Sequence, residues 1–151
     1  LAPIRADYDF IIIDCPPSLS LLTLNALAAA DGIIVPMQCE YFALEGLSSL
    51  IKTINALKQK LNPALEIDGI IRTMYDVRNN LANAVSNELT THFGDTVYRT
   101  LVPRNVRLAE APSHGMSIIR YDKSSRGALA YMGLSGEVIQ RMNKKSVKEK
   151  V

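Results

Sequence analysis

The chain has 151 residues, of which 48% are hydrophobic and 21% are charged, and its formal net charge is +2. This composition is typical of a globular protein with one domain and a substantial core. The net charge is too small to indicate a nucleic-acid partner by itself, so any basic surface that binds one must be a local cluster. Two cysteines are too few for a disulfide framework and favour a reduced, cytosolic protein, and no apolar run approaches the ~18 residues of a membrane-spanning helix.

The first predicted element is a strand over Tyr8–Asp14, whose run of apolar residues shows little alternation and suits burial on both faces of a sheet. Pro16 and Pro17 end this strand, and Ser18 or Ser20 can cap the helix that follows. Beyond it, short apolar strands alternate with segments of helical period. In chain order we predict a helix over 21–30 ending at Asp31-Gly32, a strand over 32–37, a helix over 44–61, a strand within 65–74, a helix over 81–93, a strand over 96–103, an irregular stretch over 104–125 and a helix over 126–142.

This alternation predicts an α/β fold with a mostly parallel sheet and helices on both faces. We expect one domain over residues 1–143 and a charged, solvated tail over 144–151. In such folds ligands bind beyond the carboxyl ends of the strands, so the residues at those ends are the candidates for function.

The segment FIIID, which ends at Asp14, fits the Walker B pattern of four apolar residues followed by an acid. A carboxylate at the tip of a buried strand suits Mg²⁺ and nucleotide phosphates, although an Asp that only caps the next turn gives the same pattern. None of the eight glycines is followed by lysine, so these 151 residues contain no G-x-x-x-x-G-K-[ST] phosphate-binding loop.

Several longer segments resemble the ParA/Soj chromosome-partitioning ATPases, which belong to the deviant-Walker P-loop NTPases together with MinD. These segments are YDFIIIDCPPSLSLLTLNAL, VPMQCEYFALEGLSSL, RTMYDVRNNL, VPRNVRLAEAPSHG and YDKSSRGALAYMGL. The resemblance covers nearly the whole chain in order, and Ser20 departs from it where relatives often carry Gly. It implies that the chain corresponds to the carboxyl-terminal part of such an ATPase, without the amino-terminal P-loop unit.

The resemblance also implies roles for individual residues. Asp14 would be the catalytic Walker B acid that orients Mg²⁺ through water, Met74 would lie near the adenine of ATP, and Pro103 and Asn105 would belong to the loop that closes over the base. ATP and Mg²⁺ are expected only together with the missing amino-terminal part. Judged without the resemblance, Met74 reads as a core methionine and Pro103 as a strand terminator.

Arg78 and Arg107 match positions at which the family contacts DNA without sequence preference. Phosphate neutralisation with release of counterions would make such binding steeply salt-dependent, whereas a single surface arginine is more often solvated or ion-paired. The resemblance further implies a homodimer, a ParB-type centromere-binding partner that stimulates hydrolysis, and a cytoplasmic, nucleoid-associated protein.

Two other functions remain open at this stage. The chain could be a non-catalytic fragment or a module that binds DNA or a partner, because the phosphate-binding loop is absent from it. A MinD-like membrane-associated ATPase ranks lower, since the tail RMNKKSVKEKV carries only three apolar residues and an interfacial helix needs a large apolar face. We therefore expect no membrane partner.

Overall fold

The computed structural model describes residues 1–16, 18 and 20–148, with side chains up to residue 145. Its helices and strands alternate as predicted, and most of their bounds lie within one or two residues of the expected ones. The elements are α1 (Leu21–Ala29), β1 (Gly32–Gln38), α2 (Ala43–Lys60), β2 (Glu66–Tyr75), α3 (Asn80–Phe93), β3 (Val97–Pro103), α4 (Val106–Glu110), α5 (Ile118–Tyr121) and α6 (Arg126–Lys148).

The sheet has three strands among the described residues, in the order β1-β2-β3, and β2 runs parallel to β3. A helix connects each strand to the next, as parallel neighbours require. The predicted α/β fold with a parallel sheet and helices is therefore confirmed.

The predicted strand over Tyr8–Asp14 is wrong. Ala2–Asp7 forms a 3-10 helix, and the residues that follow have no regular secondary structure and leave their apolar side chains exposed, with Ile12 at 92%. A strand is stable only when its backbone amides and carbonyls pair with a neighbouring strand, and none of the described strands pairs with this segment. The apolar pattern alone does not supply that partner. Pro17, part of the predicted turn, lies outside the described residues.

Side-chain caps begin the helices near the predicted positions. The Ser20 hydroxyl accepts a hydrogen bond from the Thr23 amide at 3.4 Å, so Ser20 is the cap of α1. The Asn79 side chain accepts hydrogen bonds from the amides of Leu81 and Ala82 and caps α3 in the same way. These contacts satisfy amides that a helix leaves unpaired in its first turn.

Two compact units can be distinguished, and each is built around its own buried residues. The first comprises Leu1–Ile33 and Ser48–Asp68, in which Ile54 and Leu65 are almost fully buried. In this unit the Asn62 side-chain amide donates to backbone carbonyls at the end of α1, which fixes the turn that follows that helix.

The second unit comprises Ile34–Leu47 and the described chain from Gly69 onward. Its core joins β2, β3 and α6 through four buried residues, and two partly buried ones pack against them. These are Ile71, Tyr98, Val102 and Leu134, with Leu108 and Val138 alongside. Gly69 permits this packing because a Cβ at its position would overlap the Tyr98 ring.

Charged side chains hold an irregular stretch of β3. Between the pairs Ile70↔Val97 and Arg72↔Leu101 the strand β3 advances by two more residues than β2, so its backbone groups there cannot all join the ladder. The buried Arg72 guanidinium donates to the carbonyls of Tyr98 (2.7 Å) and Arg99 (3.3 Å).

The opposite side of this irregular stretch meets Glu137 of α6. The Glu137 carboxylate accepts hydrogen bonds from the amides of Arg99 (2.8 Å) and Thr100 (3.0 Å) and from the Thr100 hydroxyl (2.9 Å). These contacts, together with those of Arg72, fix where β3 ends and therefore where the loop after it begins.

The carboxyl-terminal part is more helical than predicted. The stretch over 104–125 contains α4, a 3-10 helix over Ala111–His114 and α5, and α6 continues to Lys148 instead of ending near Met142. Part of the predicted tail is thus helical, while the assignment of residues 1–143 to one domain stays a prediction.

Candidate functional site

The end of β2 carries an unusual backbone conformation. Met74 has a φ of 51°, the one positive φ found on a described residue other than glycine, and its side chain is 47% exposed. The register advances by three residues on β2 and by two on β3 between Arg72↔Leu101 and Tyr75↔Pro103, so Met74 lies in a bulge. Such a conformation costs roughly 1–2 kcal/mol for an L-residue and is found at functional sites more often than elsewhere.

The end of β3 lies beside the end of β2. Pro103 is paired in register with Tyr75, and the Arg104 amide donates to the Tyr75 carbonyl at 3.1 Å. Asn105 follows directly, and its side chain accepts a hydrogen bond from the Leu108 amide at 3.3 Å, which caps α4. The structure thus brings Met74, Pro103 and Asn105 to one edge of the sheet, while their contact with adenine stays a prediction.

Arg78, in the loop after β2, forms an ion pair with the carboxylate of Asp76. Its Nε and Nη2 donate to the two carboxylate oxygens at 3.0 and 2.9 Å, and its backbone amide donates to Oδ1 at 3.0 Å. The hydrogen bonds from Arg78 lower the pKa of Asp76 to about 2, so this carboxylate is charged at neutral pH. The Arg78 side chain is nevertheless 87% exposed.

Arg107, in α4, also lies against acids. Its Nη1 donates to Glu110 at 2.8 Å and its Nε lies 3.7 Å from Asp122. The Tyr121 hydroxyl donates to the same Glu110 oxygen, and the His114 ring stacks on Tyr121. The hydrogen bond from Arg107 is the largest influence that lowers the pKa of Glu110. Both arginines predicted to contact DNA are therefore ion-paired and accessible to solvent.

Asp14 belongs to the first unit, whereas the other predicted site residues belong to the second. It is exposed and lies in the segment that forms no strand. No group of three His, Cys, Asp or Glu side chains that could hold a metal ion occurs within residues 1–16, 18 and 20–148. Asp14 therefore does not lie at the end of a buried strand, contrary to the prediction, and the described residues do not form a complete ligand set for Mg²⁺.

Three residues that organise this edge have no role predicted from the sequence. Asp76 orients Arg78, while Arg72 and Glu137 hold the strand that leads to Pro103. The Asp-x-Arg spacing of Asp76 and Arg78 is a local signal that could have revealed the first contact. The contacts of Glu137 join residues 37 and 38 positions apart, and no local pattern indicates them.

Comparison with known proteins gives matches along nearly the entire chain. A family model described as an AAA domain matches residues 1–67. The chain is 61% identical over 146 residues to an uncharacterized protein of Pseudomonas putida and 54% identical over 151 residues to the chromosome partitioning protein ParA of Myxococcus xanthus. It is also 54% identical over 138 residues to the sporulation initiation inhibitor protein Soj of Bacillus subtilis.

These matches cover 97%, 100% and 91% of the chain but only 56%, 53% and 54% of the respective relatives. The chain therefore spans about half the length of the curated relatives it matches.

Solved structures agree on the fold. Cobyrinic acid a,c-diamide synthase from Mycobacterium smegmatis, crystallised with ADP and magnesium, superposes with a TM-score of 0.74 at 32% identity, over 94% of this chain and 51% of that one. The cell division ATPase MinD of Pyrococcus furiosus gives a TM-score of 0.69 over 94% of this chain and 54% of that one. The identity to MinD is 19%, so that likeness concerns the fold alone. Within the described residues, no helix has both the length and the apolar content needed to cross a membrane.

Proposed function

The chain is related to the ParA/Soj chromosome-partitioning ATPases over almost its whole length, and we propose that it acts as the DNA-binding and base-contacting part of such an ATPase. The observation that carries this proposal is the 54% identity to a ParA protein over all 151 residues. The aligned region includes the loops at the carboxyl ends of the strands, where ligands of α/β proteins bind.

The nucleotide part of the proposal concerns ATP with Mg²⁺. Met74, in its bulge, and the loop of Pro103 and Asn105 lie on adjacent strand ends and would contact the base. By the family resemblance, Asp14 would orient Mg²⁺ through water. When bound, Mg²⁺ would neutralise charge on the phosphates. A structural neighbour crystallised with ADP and magnesium supports this assignment.

The DNA part rests on charge at the same edge. Residues 104–126 contain five Arg or Lys residues and two acids, a net charge of +3 in a chain whose total is +2. Arg78 presents an exposed guanidinium group from the loop that follows β2, and Arg107 presents one from α4, which follows β3. Contacts from such groups to phosphates hold DNA without reading its sequence. By the same relationship, the protein would dimerise, respond to a ParB-type partner and associate with the nucleoid in the cytoplasm.

A second candidate is a module that binds DNA or a partner protein without hydrolysing ATP. The exposed side chains of Arg78 and Arg107 would serve that function without a nucleotide. A MinD-like role at the membrane ranks below both, because the likeness to MinD is one of fold alone.

Charge reversal tests the proposal. The variants Arg78→Glu and Arg107→Glu should each weaken binding to a fluorescent 24-base-pair duplex of mixed sequence, measured by anisotropy with ATP and Mg²⁺ present. Arg5→Glu is the control, because Arg5 is also an exposed arginine paired with an aspartate: its Nη2 donates to both carboxylate oxygens of Asp31 in the first unit. Equal affinities for all three variants and the wild type would refute the assignment of the DNA-binding arginines.

A further inference from the structure

The two guanidinium nitrogens of Arg78 that are best placed to bind a phosphate already donate hydrogen bonds to Asp76. Nε and Nη2 form the planar fork that binds carboxylates and phosphates in a bidentate manner, and in this structure that fork holds both oxygens of Asp76. A phosphate that takes the same two donors must displace the carboxylate.

Asp76 is itself held in place for this contact. Its Oδ1 accepts the backbone amide of Arg78 at 3.0 Å, so the carboxylate stays beside the loop when the arginine side chain moves. The positive charge of Arg104 also acts on it. Asp76 is therefore a fixed negative charge among cations, and it repels any phosphate that approaches Arg78.

Arg107 differs in this respect. When its side chain leaves Glu110, that carboxylate keeps the hydrogen bond from Tyr121, and Asp122 keeps those from Ser124 and Ser125. The acids beside Arg107 thus have partners other than that arginine, whereas every hydrogen bond identified for the Asp76 carboxylate comes from Arg78, and only the one from its backbone amide remains when the side chain moves. Of the two arginines, Arg78 therefore carries the greater penalty for engaging a phosphate.

We propose that Asp76 is a built-in counter-ion that competes with phosphate for Arg78 and restricts this edge to polyanions. A single free phosphate gains only one contact with Arg78. It must displace the Asp76 carboxylate, which has a high effective concentration because it belongs to the same chain, so it competes poorly. A nucleic-acid backbone engages several cations at once and releases its own condensed counterions, so it can displace the carboxylate. This inference rests on the proposed function, because it assigns a regulator to the same DNA contact.

The test compares Asp76→Asn with Asp31→Asn in the full chain. An asparagine oxygen can still accept the Arg78 amide, so Asp76→Asn preserves the turn while removing the charge. Asp31→Asn removes the same charge from another exposed arginine–aspartate pair, that with Arg5 in the first unit. Affinity for the 24-base-pair duplex is measured by anisotropy at several salt concentrations, with melting temperatures recorded for each variant.

We expect Asp76→Asn to bind DNA about 2- to 5-fold more tightly at low salt, the range corresponding to one exposed ion pair. Because Arg78 neutralises a phosphate in both proteins, the slope of log K against log[salt] should not change, and Asp31→Asn should match the wild type in both affinity and slope. Inorganic phosphate should compete with DNA at lower concentration in Asp76→Asn than in the wild type.

Other results would overturn the inference. Equal effects of the two variants would mean that only net charge matters. An unchanged affinity of Asp76→Asn, in a protein whose DNA binding is lost in Arg78→Glu, would reject the counter-ion role and leave the proposed function intact. Absence of DNA binding in the wild type and in Asp76→Asn at low salt would refute both proposals.

Discussion

Replacing Glu137 with glutamine should destabilise the protein by releasing the irregular part of β3. Two backbone amides, one hydroxyl and the Arg141 guanidinium all donate to this carboxylate, whose side chain is only 16% exposed. Glutamine keeps one oxygen but presents an NH₂ group to donors, so at least one donor loses its acceptor. Because hydrogen bonds to a buried charge contribute roughly 1.5–3 kcal/mol, we expect a loss of about 2–3 kcal/mol.

Urea denaturation followed by circular dichroism measures this loss, and thermal melting should show a decrease of about 5–10 °C for a chain of this size. Asp31→Asn is the control, because it weakens an exposed pair and should cost less than about 0.5 kcal/mol. In Glu137→Gln the Arg141 side chain should still donate to the carbonyls of Thr96 and Val97. The destabilisation should therefore be confined to β3. A loss below 0.5 kcal/mol in Glu137→Gln would refute the reasoning.

The effect should also depend on pH. Burial raises the pKa of Glu137, but the hydrogen bonds from Arg99, Thr100 and Arg141 outweigh burial and leave the pKa below its ordinary value. A carboxyl group with a lowered pKa stabilises the fold above its unfolded pKa, and this contribution is lost as the pH falls through the folded value. The difference between wild type and Glu137→Gln should therefore be constant from pH 7 to about pH 5 and shrink at lower pH. A difference that grew on acidification would contradict this.

Three further predictions follow from other residues. Met74→Gly should stabilise the protein by about 0.5–1 kcal/mol, because glycine adopts a positive φ without strain, and a lower melting temperature would contradict this. Asn79→Ala should cost about 1 kcal/mol in urea denaturation by removing the cap of α3, and Asn87→Ala, an exposed position within that helix, should cost less. The 151-residue chain alone should release no phosphate from ATP above a blank without protein, since it contains no P-loop sequence; hydrolysis abolished by Asp14→Ala would refute this.

The sequence predicted helices and most strands well because their signals are local. Apolar spacing placed α2, α3 and β3 within a residue of their bounds, and Ser20 was one of two expected caps. The apolar run before Asp14 failed because a strand depends on a partner that the run itself does not specify. The spacing of apolar residues describes a single segment, whereas strand pairing depends on two segments.

The candidate site was only partly predictable for the same reason. Family resemblance indicated Met74, Pro103, Arg78 and Arg107, and the structure places all four in the second unit at or just after the ends of β2 and β3. The left-handed conformation of Met74 could not be expected, because methionine carries no signal for it. The hydrogen bonds from Arg72 and Glu137 to the backbone of β3 likewise join residues far apart in sequence, so no local pattern predicts them.

The salt dependence of DNA binding tests the central claim most directly. If Arg78 and Arg107 each neutralise a phosphate, the slope of log K against log[salt] should fall in magnitude by about 1.8 in the double variant Arg78→Gln, Arg107→Gln relative to the wild type. The single variant Arg5→Gln should leave the slope unchanged. A double variant with the wild-type slope would show that this edge of the sheet does not contact DNA.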